Sequence, residues 1–306
     1  MIIKKSSTTI RETSHETQKA RAVRRAGIIW FCIAGLLSTI INLNMRFLNE
    51  AYGYHPFQLV FCYSLLGAAL YLPSMVRGGL SLTTHCPRYY VLRALLEIAG
   101  FSCIFFALPH LPFTVLITLT FTTPLIGGVF AVWLLHEDMN WRKISGLVIG
   151  FVGIVTVTNP TSASFDWWYM LPVVAACFFA LCGVLIRLMA RTDPPTRIAA
   201  RTLILMALFS LPLAIFYWQV PLMAHLPYFI GLAVLVAAVQ YSVGNALQKI
   251  ELSLAHPFMF LNLIWSSLIG WVVFNESLAV STMSGACIII AGVVVSAWQK
   301  KSLTTY

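Results

Sequence analysis

The sequence predicts an all-α polytopic membrane protein: ten transmembrane helices in two inverted five-helix repeats, with both termini cytoplasmic. Three observations lead there. First, of 306 residues 59% are hydrophobic and 10% charged, and the mean hydropathy is +0.84. Soluble domains carry about 25% charged residues, so thirty charged side chains cannot coat a soluble particle of this mass. That excludes a soluble enzyme, a disordered chain and a disulfide scaffold. Second, ten apolar runs are each close to the ~20 residues that a helix needs to cross the hydrocarbon core. Third, nineteen of the twenty lysines and arginines fall on one face of the topology those runs dictate.

The elements follow in order. Residues 1–26 are basic and rich in Ser and Thr, and read as a flexible cytoplasmic tail. Glu12 and Glu16 argue against an organelle transit peptide, and the run behind them lacks a small-residue cleavage site. The first five spans are 27–47, 57–76, 90–109, 112–135 and 142–159. The second five are 168–189, 198–218, 227–247, 257–274 and 281–298, before a short tail at 300–306. Turn chemistry separates them at Tyr54-His55-Pro56, Cys86-Pro87, His110-Leu111-Pro112, Asn159-Pro160, Asp193-Pro194-Pro195 and Leu226-Pro227. Proline fits the first turn of a helix and breaks one elsewhere. Strands of a membrane barrel would be alternating segments of about ten residues; these runs are continuous and twice as long.

Lys and Arg concentrate in cytoplasmic loops. With the N-terminus inside, every cation lies inside except Arg46. The net charge of +10 therefore marks topology and contact with the anionic inner leaflet, not nucleic acid. The seven cysteines show no zinc-ligand spacing and read as buried reduced thiols. No metal or cofactor is expected.

An internal repeat organises the spans. His136-Glu137 through Val157 aligns without gaps on Asn275-Glu276 through Ser296 at an offset of 139. Ser145, Gly146 and Gly153 fall on Ser284, Gly285 and Gly292. At the same offset Phe121 falls on Phe260 and Leu72-Pro73 on Leu211-Pro212, while Arg46 falls on Arg187 after a two-residue shift. Residues 27–160 and 161–299 are thus the two repeats. Five spans is an odd number, so the second repeat enters from the opposite side, as in many secondary transporters.

With Pro124 and Gly127-Gly128 in the fourth span, then Leu135-His136-Glu137, then Gly146, Gly150 and Gly153 before Pro160, and with Asn275-Glu276, Gly285 and Gly292 in the second copy, the chain resembles the EamA-type branch of the drug/metabolite transporter superfamily. The resemblance runs from residue 27 to 298. It implies a central cavity lined by helices 1–4 and 6–9, with helices 5 and 10 peripheral, and cargo such as amino acids, nucleotide-like or vitamin-like metabolites, or drugs. Leu263 stands where the first copy has Pro124, so a helix break there is expected on one side only. Glycines seven apart share a helix face, and small residues let helices approach closely. That face serves either packing within the chain or a homodimer through helices 5 and 10.

Charge inside the hydrocarbon core is expensive and usually functional. Glu97 is the one acidic residue well inside a span, with Arg93 one turn earlier. It reads either as a coupling residue that binds a proton or a substrate cation, or as half of a structural pair. Tyr241, Asn245 and Gln248 form a polar stripe on the eighth span that must avoid lipid. Tyr241 and Asn245, with Trp265 and Asn262 midway along the ninth span, are candidate substrate-binding residues, joined more weakly by Thr118, Thr122 and Asn44. Pro124 is a candidate hinge. Glu137 and Glu276 are expected to complement the N-termini of the fifth and tenth helices.

HExxH, GxSxG and Walker motifs are absent from the sequence, so the chain is not read as an enzyme. The expected function is an inner-membrane secondary transporter that moves a small polar metabolite across the lipid bilayer by alternating access, with proton coupling through Glu97. An exporter of drugs or toxic metabolites is the alternative within that class. A membrane-embedded lipid-modifying enzyme and a non-transporting membrane subunit are the alternatives outside it.

Overall fold

The computed structural model describes residues 2–77, 86–107, 110–111, 119–158, 167–262, 264–265, 268 and 280–297. Thr118, Leu263 and Glu276 lie outside the described residues, as do 112–117 of the fourth span, 269–274 of the ninth and the 300–306 tail. The described helices are α1 (Ile2–Tyr52), α2 (Pro56–Arg77), α3 (Pro87–Ala107), α4 (Thr123–Leu135) and α5 (Trp141–Thr158), then α6 (Met170–Met189), α7 (Pro195–Phe216), α8 (Leu226–Lys249), α9 (Leu252–Met259) and α10 (Val280–Ala297). Ten helices answer the ten spans, and no strand occurs among the described residues. Six of them are long and apolar enough to cross a membrane, and α4 is a shorter apolar helix. Outward faces carry exposed apolar side chains, such as Val129 and Trp133 of α4 and Phe216 of α7, as contact with lipid requires.

Three local features differ from the sequence expectation. The segment expected as a flexible tail continues the first helix back to Ile2. Its Lys, Arg, Glu, Gln and Ala residues are good helix formers, and at 1.5 Å per residue a 51-residue helix far outreaches the bilayer. Pro124 is not a mid-helix hinge: it sits in the first turn of α4, directly behind a turn at Phe121 and Thr122. The break is also not one-sided. The helical path after α9 is interrupted at Phe260, the repeat partner of Phe121. Pro124, three residues after Phe121, accounts for the first break; Pro257 lies inside α9, which continues through it to Met259. The two phenylalanine rings meet, with centroids 6.5 Å apart.

The principal contacts between the halves are matched when the halves are exchanged. α5 packs on α10, α2 on α7, and α4 on α9, each helix on its own counterpart; α1 on α8 is matched by α6 on α3. The α5–α10 contact is the most extensive between any two helices. A Cβ on Gly153 would stand 2.9 Å from the Gly285 carbonyl oxygen and 2.9 Å from the Ile289 nitrogen. A Cβ on Gly292 would stand 2.8 Å from the Gly146 carbonyl oxygen and 2.8 Å from the Gly150 nitrogen. These are one contact seen from each half. The glycine face that the sequence offered to a second copy is filled within the chain.

Candidate functional site

Arg93 and Glu97 lie on α3, which packs against α6 and α7 and reaches α8 through the Arg93 side chain. Arg93 is buried, and its guanidinium is committed elsewhere: Nη1 donates to Thr202 Oγ1 of α7, and Nη2 donates to Gln240 Oε1 of α8 at 2.8 Å. The Glu97 carboxylate, 17% exposed, touches Nη2 only at 3.4 Å. Its buried Oε2 has no hydrogen-bond partner among the described residues. Gln240 was not among the expected site residues. Its signal was available: a polar residue in mid-span needs a partner, and Arg93 needed one too.

The other expected residues fall in separate places. Tyr241 packs edge-on against Trp30 of α1, with centroids 5.7 Å apart. Asn245 donates to the Tyr241 carbonyl at 3.3 Å and accepts from Lys249 Nζ at 3.1 Å. Gln248 reaches the Asp193 carbonyl at 3.1 Å. The polar stripe of α8 therefore runs from α1 to the loop ends. Asn262 sits against Gly35 of α1, where a side chain would collide with its amide, and its carbonyl accepts from Thr39 Oγ1 at 3.5 Å. Asn262 Oδ1, Trp265 Nε1 and Asn44 Oδ1 are buried without a hydrogen-bond partner among the described residues. Thr122 donates to its own turn, at the Leu119 carbonyl, 2.7 Å away. A groove of about 750 Å³ between α4 and α5 is lined by apolar side chains such as Leu125, Val129 and Trp133, and holds none of these residues.

The two ends of the bundle are closed by contacts between the halves. At the end rich in Lys and Arg, Glu137 Oε1 and Oε2 accept from the backbone N–H groups of Leu252 and Ser253 at 3.0 and 2.8 Å. Glu137 thus caps α9, not α5 as expected. Arg187 Nε lies 3.5 Å from the same carboxylate, and Lys143 Nζ donates to Glu251 and to Ser253 Oγ. Asp193 accepts from Tyr90 Oη at 2.7 Å and from Arg197 Nη1 at 3.0 Å. At the other end Gln58 pairs with both backbone groups of Gln219, and Tyr54 Oη meets His225 Nδ1 at 2.8 Å. His55 stacks on Tyr217 at 3.9 Å.

The EamA-like transporter family model matches the chain twice, over residues 25–159 and 166–298. The chain is 26% identical over 281 residues to an S-adenosylmethionine uptake transporter of Rickettsia prowazekii, covering 91% of this chain and 95% of that protein. It is 26% identical over 280 residues to a riboflavin transporter of Vibrio cholerae, covering 90% and 94%. One crystal structure superposes with a TM-score of 0.75 at 16% identity, covering 90% of this chain and 98% of that one, and so shares the fold.

Proposed function

The chain belongs to the EamA-like transporter family, and from that premise we propose that it is a secondary transporter for a small organic metabolite that carries a positive charge beside a planar ring. It is a multi-pass protein of the inner membrane. In this reading the two matched segments are inverted repeats, the end rich in Lys and Arg faces the cytoplasm, and rocking of the halves alternates access. The relatives are named for S-adenosylmethionine and for riboflavin. The first is a sulfonium cation and the second is neutral.

The observation that carries the choice is Glu97 Oε2, which meets Arg93 only at 3.4 Å and makes no hydrogen bond among the described residues. Its nearest cation, Arg93, is held by Thr202 and Gln240, so the carboxylate keeps capacity for a ligand. A carboxylate inside a membrane bundle suits a substrate cation or a proton better than a neutral ring system. Trp265 and Asn262, apart from Glu97, carry an unpaired donor and an unpaired acceptor and would meet the planar part of the substrate at a second point of contact.

Uptake of labelled S-adenosylmethionine and of riboflavin into proteoliposomes tests this. S-adenosylmethionine should accumulate and compete with other sulfonium or ammonium metabolites, and Glu97→Gln should lower uptake at least tenfold. Preferential riboflavin uptake would overturn the cationic class. Normal rate and unchanged pH dependence in Glu97→Gln would remove the role of the carboxylate.

A further inference from the structure

We propose that Glu137 is the latch of the cationic end: its carboxylate, carried by the first half, holds two backbone N–H groups and one arginine charge of the second half and must release all of them when that end opens. The inference rests on the alternating-access reading. α4 stops at His136, whose φ of 53° makes it the one non-glycine with positive φ among the described residues. This left-handed residue turns the chain back, and the Glu137 N–H then returns to the Ala131 carbonyl at 3.1 Å. A side chain in that backbone region is strained, and such strain persists where the surroundings demand it. What it achieves here is to aim the next side chain at α9.

The Glu137 side chain is 5% exposed. It takes the N–H groups of Leu252 and Ser253, which an α-helix leaves without partners at its start and which favour a negative charge. Arg187 of α6 completes the set, and its Nη1 donates to the Leu247 carbonyl at the end of α8. One carboxylate therefore ties together the end of α6, the end of α8 and the start of α9. Lys143, also from the first half, grips the same corner through Glu251 and Ser253. A buried carboxylate stripped of its donors is costly, so the latch leaves only into water. Opening of this end and its hydration are then a single event. Arg46, which aligns with Arg187 in the repeat, lies at the opposite end, 56% exposed and paired with Glu50. Only one of the two equivalent arginines is latched in this structure.

Cys182 reports on the latch. It is buried on α6 beneath this end, and its thiol meets the Arg93 carbonyl at 3.5 Å. Full-length protein that keeps Cys182 as its sole cysteine is labelled with a membrane-impermeant maleimide from either face of sealed vesicles. No substrate is needed, so an error in the substrate class leaves the result readable. Labelling should be slow in the parent. Glu137→Gln should speed it at least tenfold from one membrane face, with Glu137→Asp in between as a milder variant that keeps the charge. Unchanged labelling in both variants overturns the latch. So does an equal rise from both faces, which would mean general loosening.

Discussion

The two ends of the bundle join the same two halves with different chemistry. The cationic end uses desolvated charge: Glu137 with Arg187, Lys143 with Glu251, and Asp193 with Arg197, most of these side chains buried or nearly so. The aromatic end uses neutral groups: Gln58 on the backbone of Gln219, Tyr54 on His225, and His55 stacked on Tyr217. A buried ion pair gains little over well-packed apolar groups when intact, but losing one partner is heavily destabilising. Neutral hydrogen bonds and stacks lose energy in smaller steps. If the halves rock as proposed, the charged end should be either shut or fully open, and the aromatic end should yield gradually.

Three measurements sharpen or break this contrast. The largest effect is expected from Asp193→Ala, which strands the Tyr90 hydroxyl and the guanidinium of Arg197. It should cost about 3–5 kcal/mol of stability, the usual cost of orphaning a buried ion-pair partner, read as thermal unfolding in detergent. Gln58→Ala is the matched cut at the other end. It removes both bonds to Gln219, one from a fully buried side chain, and should cost about 2 kcal/mol. If the two variants melt alike, the ends do not differ in kind. The smallest effect concerns His55, whose pKa burial pushes below its ordinary value. The folded protein then prefers the neutral ring. The stability this confers is present above the unfolded pKa of about 6.5 and is lost as pH falls through it towards the folded value. Between pH 7 and 5 the wild-type melting temperature should fall further than that of His55→Phe.

Much of the fold was legible because bilayer thickness and charge placement are strong, local constraints. Ten helices, their order and the glycine faces of α5 and α10 could be read from the runs themselves, six of the helices being long and apolar enough to cross a membrane. The side-chain partnerships could not. In a soluble helix the apolar stripe shows which face is inside, but lipid is as apolar as a protein core, so the faces of α8 do not separate by hydropathy. Tyr241 and Asn245 looked like the important face, while Gln240, on the neighbouring one, is the residue that holds Arg93. Glu137 was visible as an acid in a turn. Which helix it caps depended on α9 starting at Leu252, earlier than its apolar run suggested. The break at Phe260 was hidden because no proline follows it as Pro124 follows Phe121.

The close crossing of α5 and α10 has a consequence for how the chain is made. Its backbones touch through Gly146, Gly150 and Gly153 on one side and Gly285 and Gly292 on the other. The second of these helices leaves the ribosome about 139 residues after the first. At ~5–20 residues per second, α5 waits on the order of ten seconds in the membrane before its main neighbour exists. During that wait its glycine face has only lipid or the insertion machinery against it. The last helix is therefore the one that completes the bundle, and a chain truncated before Val280 should be a substrate for quality-control proteolysis, not a half-working transporter.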